Sequence, residues 1–135
     1  LYTHLVEGDQ VEAEKIKEFY DEYFAVLDLT EEFYLETVEW VFQDMRLPTG
    51  KLTHRGDLID PSAITRTAIL TVEGERDDIC SVGQTAAIHD MTPKLRPHLR
   101  HHHLQAGVGH YGVFNGRRWE TQIYPRVRSV ILANE

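Results

Sequence analysis

The sequence predicts an α/β fold in which parallel strands with crossover helices follow a helical, cap-like segment. Three observations predict it. Charge divides the chain, with 13 acidic against 3 basic residues in 1–50 and 9 against 11 in 51–135. Apolar residues recur at helical spacing in the first part. In the second, two apolar or β-branched runs, Ile64 to Val72 and Leu99 to Gln105, are separated by a helix signal, the order expected of strand, crossover helix and parallel strand. The expected organisation is a helical pair over residues 1–50 and a strand-acid-helix-strand-histidine-helix part over 51–135.

From Val11 to Leu27, the residues Ile16, Phe19, Tyr20, Tyr23, Phe24 and Leu27 form one stripe opposite Glu12, Lys15, Glu18, Asp21 and Glu22, as an amphipathic helix requires. A second helix starts after Thr30, where Glu31 and Glu32 suit the positive end of the helix dipole. Its stripe is Phe33, Tyr34, Thr37, Val38, Val41, Phe42 and Met45, and Leu47-Pro48-Thr49-Gly50 ends it because proline cannot extend the hydrogen-bond ladder. The two helices are expected to pack on each other.

Gly56-Asp57 marks a turn, and Asp60-Pro61 has the form of an N-cap with proline at the first helical position. The first strand follows and ends in acid at Glu73-Gly74-Glu75-Arg76-Asp77-Asp78. Ser81-Val82-Gly83-Gln84 has capping-box spacing, so a helix is expected from Val82 through Ile88. After the second strand, Gly107-Val108-Gly109-His110-Tyr111-Gly112 presents a histidine between glycines. Asn115-Gly116 is a turn. Trp119, Ile123, Val127, Val130 and Ile131 then define a closing helix, kinked or restarted at Pro125.

Chemistry concentrates at two of these places. An acid beyond a strand's carboxyl end and a histidine on a later loop are the last two members of a nucleophile-acid-base triad, in α/β-hydrolase chain order. Asp77 is the expected acid, Asp78 the alternative, and His110 the base. No nucleophile elbow accompanies them, since the strained turn needs very small residues two positions on either side. Ser62 has Asp60 and Ile64 there, Cys80 has Asp78 and Val82, Ser81 has Ile79 and Gly83, and Ser129 has Val127 and Ile131. The expectation is therefore the C-terminal portion of an α/β-hydrolase, inactive by itself, whose nucleophile lies in a remaining N-terminal part.

Other classes are disfavoured. The net charge of −8 and scattered arginines argue against nucleic acid. No apolar run is long enough for a membrane span. Adjacent strand residues His101, His102 and His103 point to alternate faces and cannot converge on one ion, so no metal site and no cofactor are expected. Cys80 is the only cysteine, which excludes an intrachain disulfide and fits a reducing compartment. It reads as a packing residue.

The chain resembles the C-terminal part of intracellular poly(3-hydroxybutyrate) depolymerases. The resemblance rests on Val6-Glu7-Gly8-Asp9-Gln10, Glu18-Phe19-Tyr20-Asp21-Glu22-Tyr23, Thr53-His54-Arg55-Gly56, the run Leu70 to Ile79, and the run Gly107 to Trp119. It implies hydrolysis of storage-polyester esters to 3-hydroxybutyrate oligomers or monomer, a cytoplasmic location on or near polyester granules, and polymer or granule surface as partner. Asp77 and His110 are the positions to which the family's acid and base carry over. Phe19, Tyr23, Phe33 and Phe42 are expected to fill a helix-helix core, with contact to polymer as the alternative. The alternatives are a polyester synthase-like acyltransferase and a non-catalytic granule- or protein-binding module.

Overall fold

The computed structural model describes residues 6, 8–25 and 27–135, with the backbone alone for Tyr23. It divides into two compact units, Leu1–Met45 and Arg46–Glu135. In the first, α1 (Gln10–Phe24) begins where the Asp9 carboxylate accepts the Glu12 N–H at 3.2 Å, neutralising one of the donors that every helix start leaves unpaired. Helix α2 (Glu31–Thr37) is capped in the same way by Thr30 Oγ1 on the Phe33 N–H. It widens into a π-helical turn, Val38–Gln43.

The stripes behave differently from expectation. Ala13 is buried, but Phe19, Tyr20, Phe24, Phe33, Tyr34, Val41 and Phe42 are all exposed. The expected packing of the two helices on each other thus does not bury these side chains. Periodicity identifies an amphipathic helix without naming what its apolar face meets. The Tyr23 side chain lies outside the described residues.

The second unit opens with a two-residue hairpin, β1 (Thr53–His54) antiparallel to β2 (Asp57–Leu58). Its turn is Arg55-Gly56, one residue before the expected Gly56-Asp57, with φ of 53° and 90°; two positive φ values match the twist of a tight hairpin. The Asp60-Pro61 signal produces a single 3-10 turn, Pro61–Ala63, capped by the Asp60 carboxylate on the Ser62 N–H.

The central feature is β3 (Ile69–Gly74) paired in parallel with β4 (Arg100–Gln105), in a register running from Ile69 opposite Arg100 to Gly74 opposite Gln105. Strand β3 starts later than Ile64 because Ile64 closes the 3-10 turn, its N–H bonded to Pro61 O. It runs on to Gly74 because Glu73 is buried, not at a loop edge. The helix expected from Val82 is a series of turns, and only α3 (Ile88–Met91) is α-helical. Ser81 makes no cap there. Glu73 takes the turn's donors instead.

The closing segment begins as a short α4 (Gly116–Arg118), passes through a π-helical turn, Trp119–Ile123, and continues as α5 (Tyr124–Ala133). The Tyr124 N–H reaches back to Trp119 O, and Pro125 offers no donor. The restart therefore falls at the proline, as its chemistry requires. Ile123, Leu95, Val108 and Val113 form the buried apolar core of this unit, with Thr71, Glu73, Thr92 and Gln105 as buried polar members. Among the described residues no helix is long and apolar enough to cross a membrane.

Candidate functional site

Parallel pairing brings the carboxyl ends of β3 and β4 side by side, and the two loops that leave them remain bonded to each other. The Glu75 N–H donates to Gln105 O and the Arg76 N–H to Val108 O, both at 2.9 Å. The Glu75 carboxylate accepts the Gly107 N–H at 2.7 Å. The ladder thus continues beyond the strands, holding the turn that bears Asp77 against the loop that bears His110. Ligands bind beyond the carboxyl ends of strands in open α/β sheets for this geometric reason.

Two glycines permit that contact. A Cβ on Gly74 would lie 2.8 Å from Val108 O and 3.1 Å from a Val113 methyl, and one on Gly112 would lie 2.8 Å from the Val108 Cβ. Neither neighbour is the free end of a flexible side chain. Gly109, by contrast, has only ordinary room to lose, with Arg76 O at 3.5 Å. The glycine framing of His110 therefore comes from Gly107, whose φ of 73° is left-handed, and Gly112 in its own loop, and from Gly74 in the facing strand. Gly74→Ala is expected to destabilise the unit by about 1–3 kcal/mol through overpacking, visible as a lowered melting temperature, and to displace the His110 loop. A melting temperature within about 1 °C of the parent would show that the loop yields without cost.

Asp77 Oδ2 lies 2.9 Å from His110 Nδ1. Its other oxygen, Oδ1, accepts the N–H groups of Ile79 at 2.9 Å and Cys80 at 2.7 Å. The loop backbone therefore orients the carboxylate before the imidazole reaches it. The Asp77 side chain is 4 % exposed and that of His110 30 %. Burial alone would push the Asp77 carboxyl up, but the Cys80 N–H, the imidazole and the Ile79 N–H together hold it below the ordinary carboxylate range. A carboxylate can only accept, so Nδ1 carries the proton and Nε2 of the neutral ring is the basic nitrogen. Tyr111 and Phe114 stand edge-on to the imidazole, with centroids 5.7 and 5.6 Å away.

Asp78 is exposed and takes no part in this contact. Cys80 is half-buried, and burial, Asp77 and Glu73 all push its thiol up, the opposite of what a thiolate nucleophile needs. The histidine run alternates as its strand demands. His102 Nδ1 lies 2.9 Å from the Thr71 hydroxyl, while His103 Nε2 contacts Gln105 Oε1 at 3.0 Å. Among the described residues no three His, Cys, Asp or Glu side chains are grouped to hold a metal ion.

The residue that sequence reasoning missed is Glu73, which is 1 % exposed. Its Oε1 accepts from the Thr85 N–H, the Thr85 hydroxyl and the Ala86 N–H at 2.8, 2.8 and 3.1 Å, and its Oε2 accepts from the Gly83 N–H at 2.7 Å. Burial raises its pKa, but these four donors outweigh burial and bring it down to about 2. An acid inside an apolar strand, at Val72-Glu73-Gly74, was the available signal, because a buried carboxylate must find donors. Its partners lie ten to thirteen residues away, beyond the reach of any local pattern.

These elements define a mixed α/β structure with a hydrogen-bonded carboxylate-imidazole pair beyond two parallel strand ends. Over residues 1–135 the sequence matches the family described as PHB de-polymerase C-terminus, and the chain belongs to that family. No curated protein and no solved structure compared with the chain matches it.

Proposed function

We propose that the chain supplies the acid and base of a polyester hydrolase of α/β-hydrolase type, acting on storage poly(3-hydroxybutyrate) in the cytoplasm. The observation that carries this reading is the 2.9 Å contact between Asp77 and His110 in a member of the PHB de-polymerase C-terminus family. A nucleophile held in the N-terminal part of the enzyme attacks the ester carbonyl. His110 Nε2 takes its proton and delivers it to the leaving hydroxyl. Water then attacks the acyl-enzyme with His110 again as base, releasing a free carboxylic acid and restoring the nucleophile. Asp77 holds the Nδ1–H tautomer and stabilises the imidazolium that forms in each half-reaction.

The exposed aromatic rings beside His110, and those along α1 and α2, provide apolar surface suited to an uncharged polyester. The test is product analysis with the enzyme containing both this chain and its nucleophile-bearing part, supplied with amorphous polymer. Release of 3-hydroxybutyrate oligomers or monomer, reduced about a hundredfold or more in His110→Ala, is the expected result. Unchanged hydrolysis in that variant would remove the assignment and leave a polymer- or protein-binding role. Chain growth from hydroxyacyl thioesters with thiol release would instead make the protein an acyltransferase.

A further inference from the structure

At the opposite end of the parallel pair, a cleft of about 380 Å³ lies where β3 and β4 begin, beside α5. Leu70, Val130 and Ala133 give it apolar walls, Arg100, Arg126 and Ser129 bring polar groups to it, and the strand residues His101 and His102 complete its lining. Arg100 is held in place, its Nη2 donating to Thr92 O at 2.5 Å, and its Nε is shielded from solvent with no hydrogen-bond partner. Among the described residues neither Arg100 nor Arg126 has a carboxylate within 4.0 Å. A neighbouring crevice collects Arg66, Lys94 and Arg96, which adds to the positive potential at this end of the strands.

We infer that this cleft is a second binding site, for a short aliphatic carboxylate. Two guanidinium groups with no carboxylate within 4.0 Å call for an anion, and the exposed, planar fork of Arg126 matches a carboxylate best, with Arg100 adding positive charge beside it. The apolar walls select an anion with a hydrocarbon chain over a small inorganic one. Six-residue strands separate the cleft from the Asp77–His110 pair by roughly 15–20 Å, so one released hydroxy acid cannot occupy both. Resting on the polyester-hydrolase reading, the natural ligand is the carboxylate which that reaction creates, either on released hydroxy acid or at the end of a shortened chain. A protein that binds its product away from the reacting atoms has a means of sensing it.

The experiment is an amide-resolved NMR titration of the 135-residue chain with sodium butyrate, 3-hydroxybutyrate and its linear dimer, with sodium chloride holding ionic strength constant. Saturable shifts confined to the neighbourhood of Arg100, Arg126, Ser129 and Val130, with Kd of about a millimolar, are expected, and 1-butanol should produce none. Arg126→Gln, on the exposed face of α5, should weaken binding about tenfold. Ser129→Asp, which places a carboxylate in the cleft, should abolish it, and Arg128→Gln on the same helix should not change it. Non-saturating shifts, equal effects of butanol, equal competition by inorganic phosphate, or unaltered affinity in both Arg126→Gln and Ser129→Asp would each overturn the site. Tighter binding of monomer identifies released acid as the ligand; tighter binding of dimer identifies the chain end. The titration is independent of hydrolysis: its failure leaves the Asp77–His110 proposal standing, and unchanged hydrolysis in His110→Ala would leave the cleft occupied but without that source of ligand.

Discussion

Asp77→Asn is expected to lower the turnover of ester hydrolysis by about a thousandfold while leaving the fold intact, and Asp78→Asn to change it less than twofold. The size follows from the two sets of bonds that Asp77 makes. Its Oδ1 accepts from the Ile79 and Cys80 N–H groups, so in the variant the amide oxygen will take that place and the NH2 group will face His110. Two donors then oppose each other, and the imidazole relieves the conflict by moving its proton to Nε2. That tautomer cannot accept a proton from a nucleophile, so the base is lost although every heavy atom can stay where it is. The measurement is steady-state hydrolysis with the nucleophile-containing enzyme, together with circular dichroism to show retained structure. A loss falling on kcat, not KM, identifies tautomer control. If Asp77→Asn kept more than about a third of the parent turnover, the pair would be a structural contact.

The legibility of this arrangement differs between its parts for physical reasons. Asp77 and His110 are separated by 32 intervening residues, yet their approach was readable, because parallel pairing of two β-rich runs brings consecutive carboxyl ends together. The cap at Asp60 was readable for a simpler reason, since an N-cap satisfies donors two or three residues away. The helix expected from Val82 does not form because Glu73 competes for the donors that its capping-box spacing would place in a helix start. That carboxylate takes the N–H groups of Gly83, Thr85 and Ala86 from another strand, so the segment is shaped by a tertiary acceptor and needs no helix of its own. Gly74 was hidden in the same way. Its importance lies in Val108 and Val113 across the loop, and nothing in its own neighbourhood announces them. In the first unit the periodicity of α1 predicted the helix, but the exposure of Phe19, Tyr20 and Phe24 depends on partners that periodicity does not encode.

Glu73→Gln should be the most destabilising of the conservative changes in this unit, by on the order of 3 kcal/mol at neutral pH, or about 10 °C in melting temperature. Gln can keep the three bonds made at Oε1, but its NH2 group then faces the Gly83 N–H where Oε2 accepted at 2.7 Å. A buried donor is left opposed to another donor, and the charge that made all four bonds strong is gone. The effect carries a pH signature whose sign follows from the depressed pKa. With a folded value of about 2 against an ordinary 4.5, the ionised carboxylate stabilises the folded state in full above 4.5. That contribution is lost as pH falls from 4.5 through about 2. The parent and Glu73→Gln should therefore differ by a constant amount from pH 7 to about 5 and converge below it. Chemical denaturation at a series of pH values measures this directly. A difference independent of pH down to 2.5 would mean that shape alone, and not the buried charge, holds the turn after β3. Because that turn leads out of the loop carrying Asp77, the same variant should also widen the Asp77–His110 contact, coupling a stability residue to the carboxylate-imidazole pair through the backbone between Glu73 and Cys80.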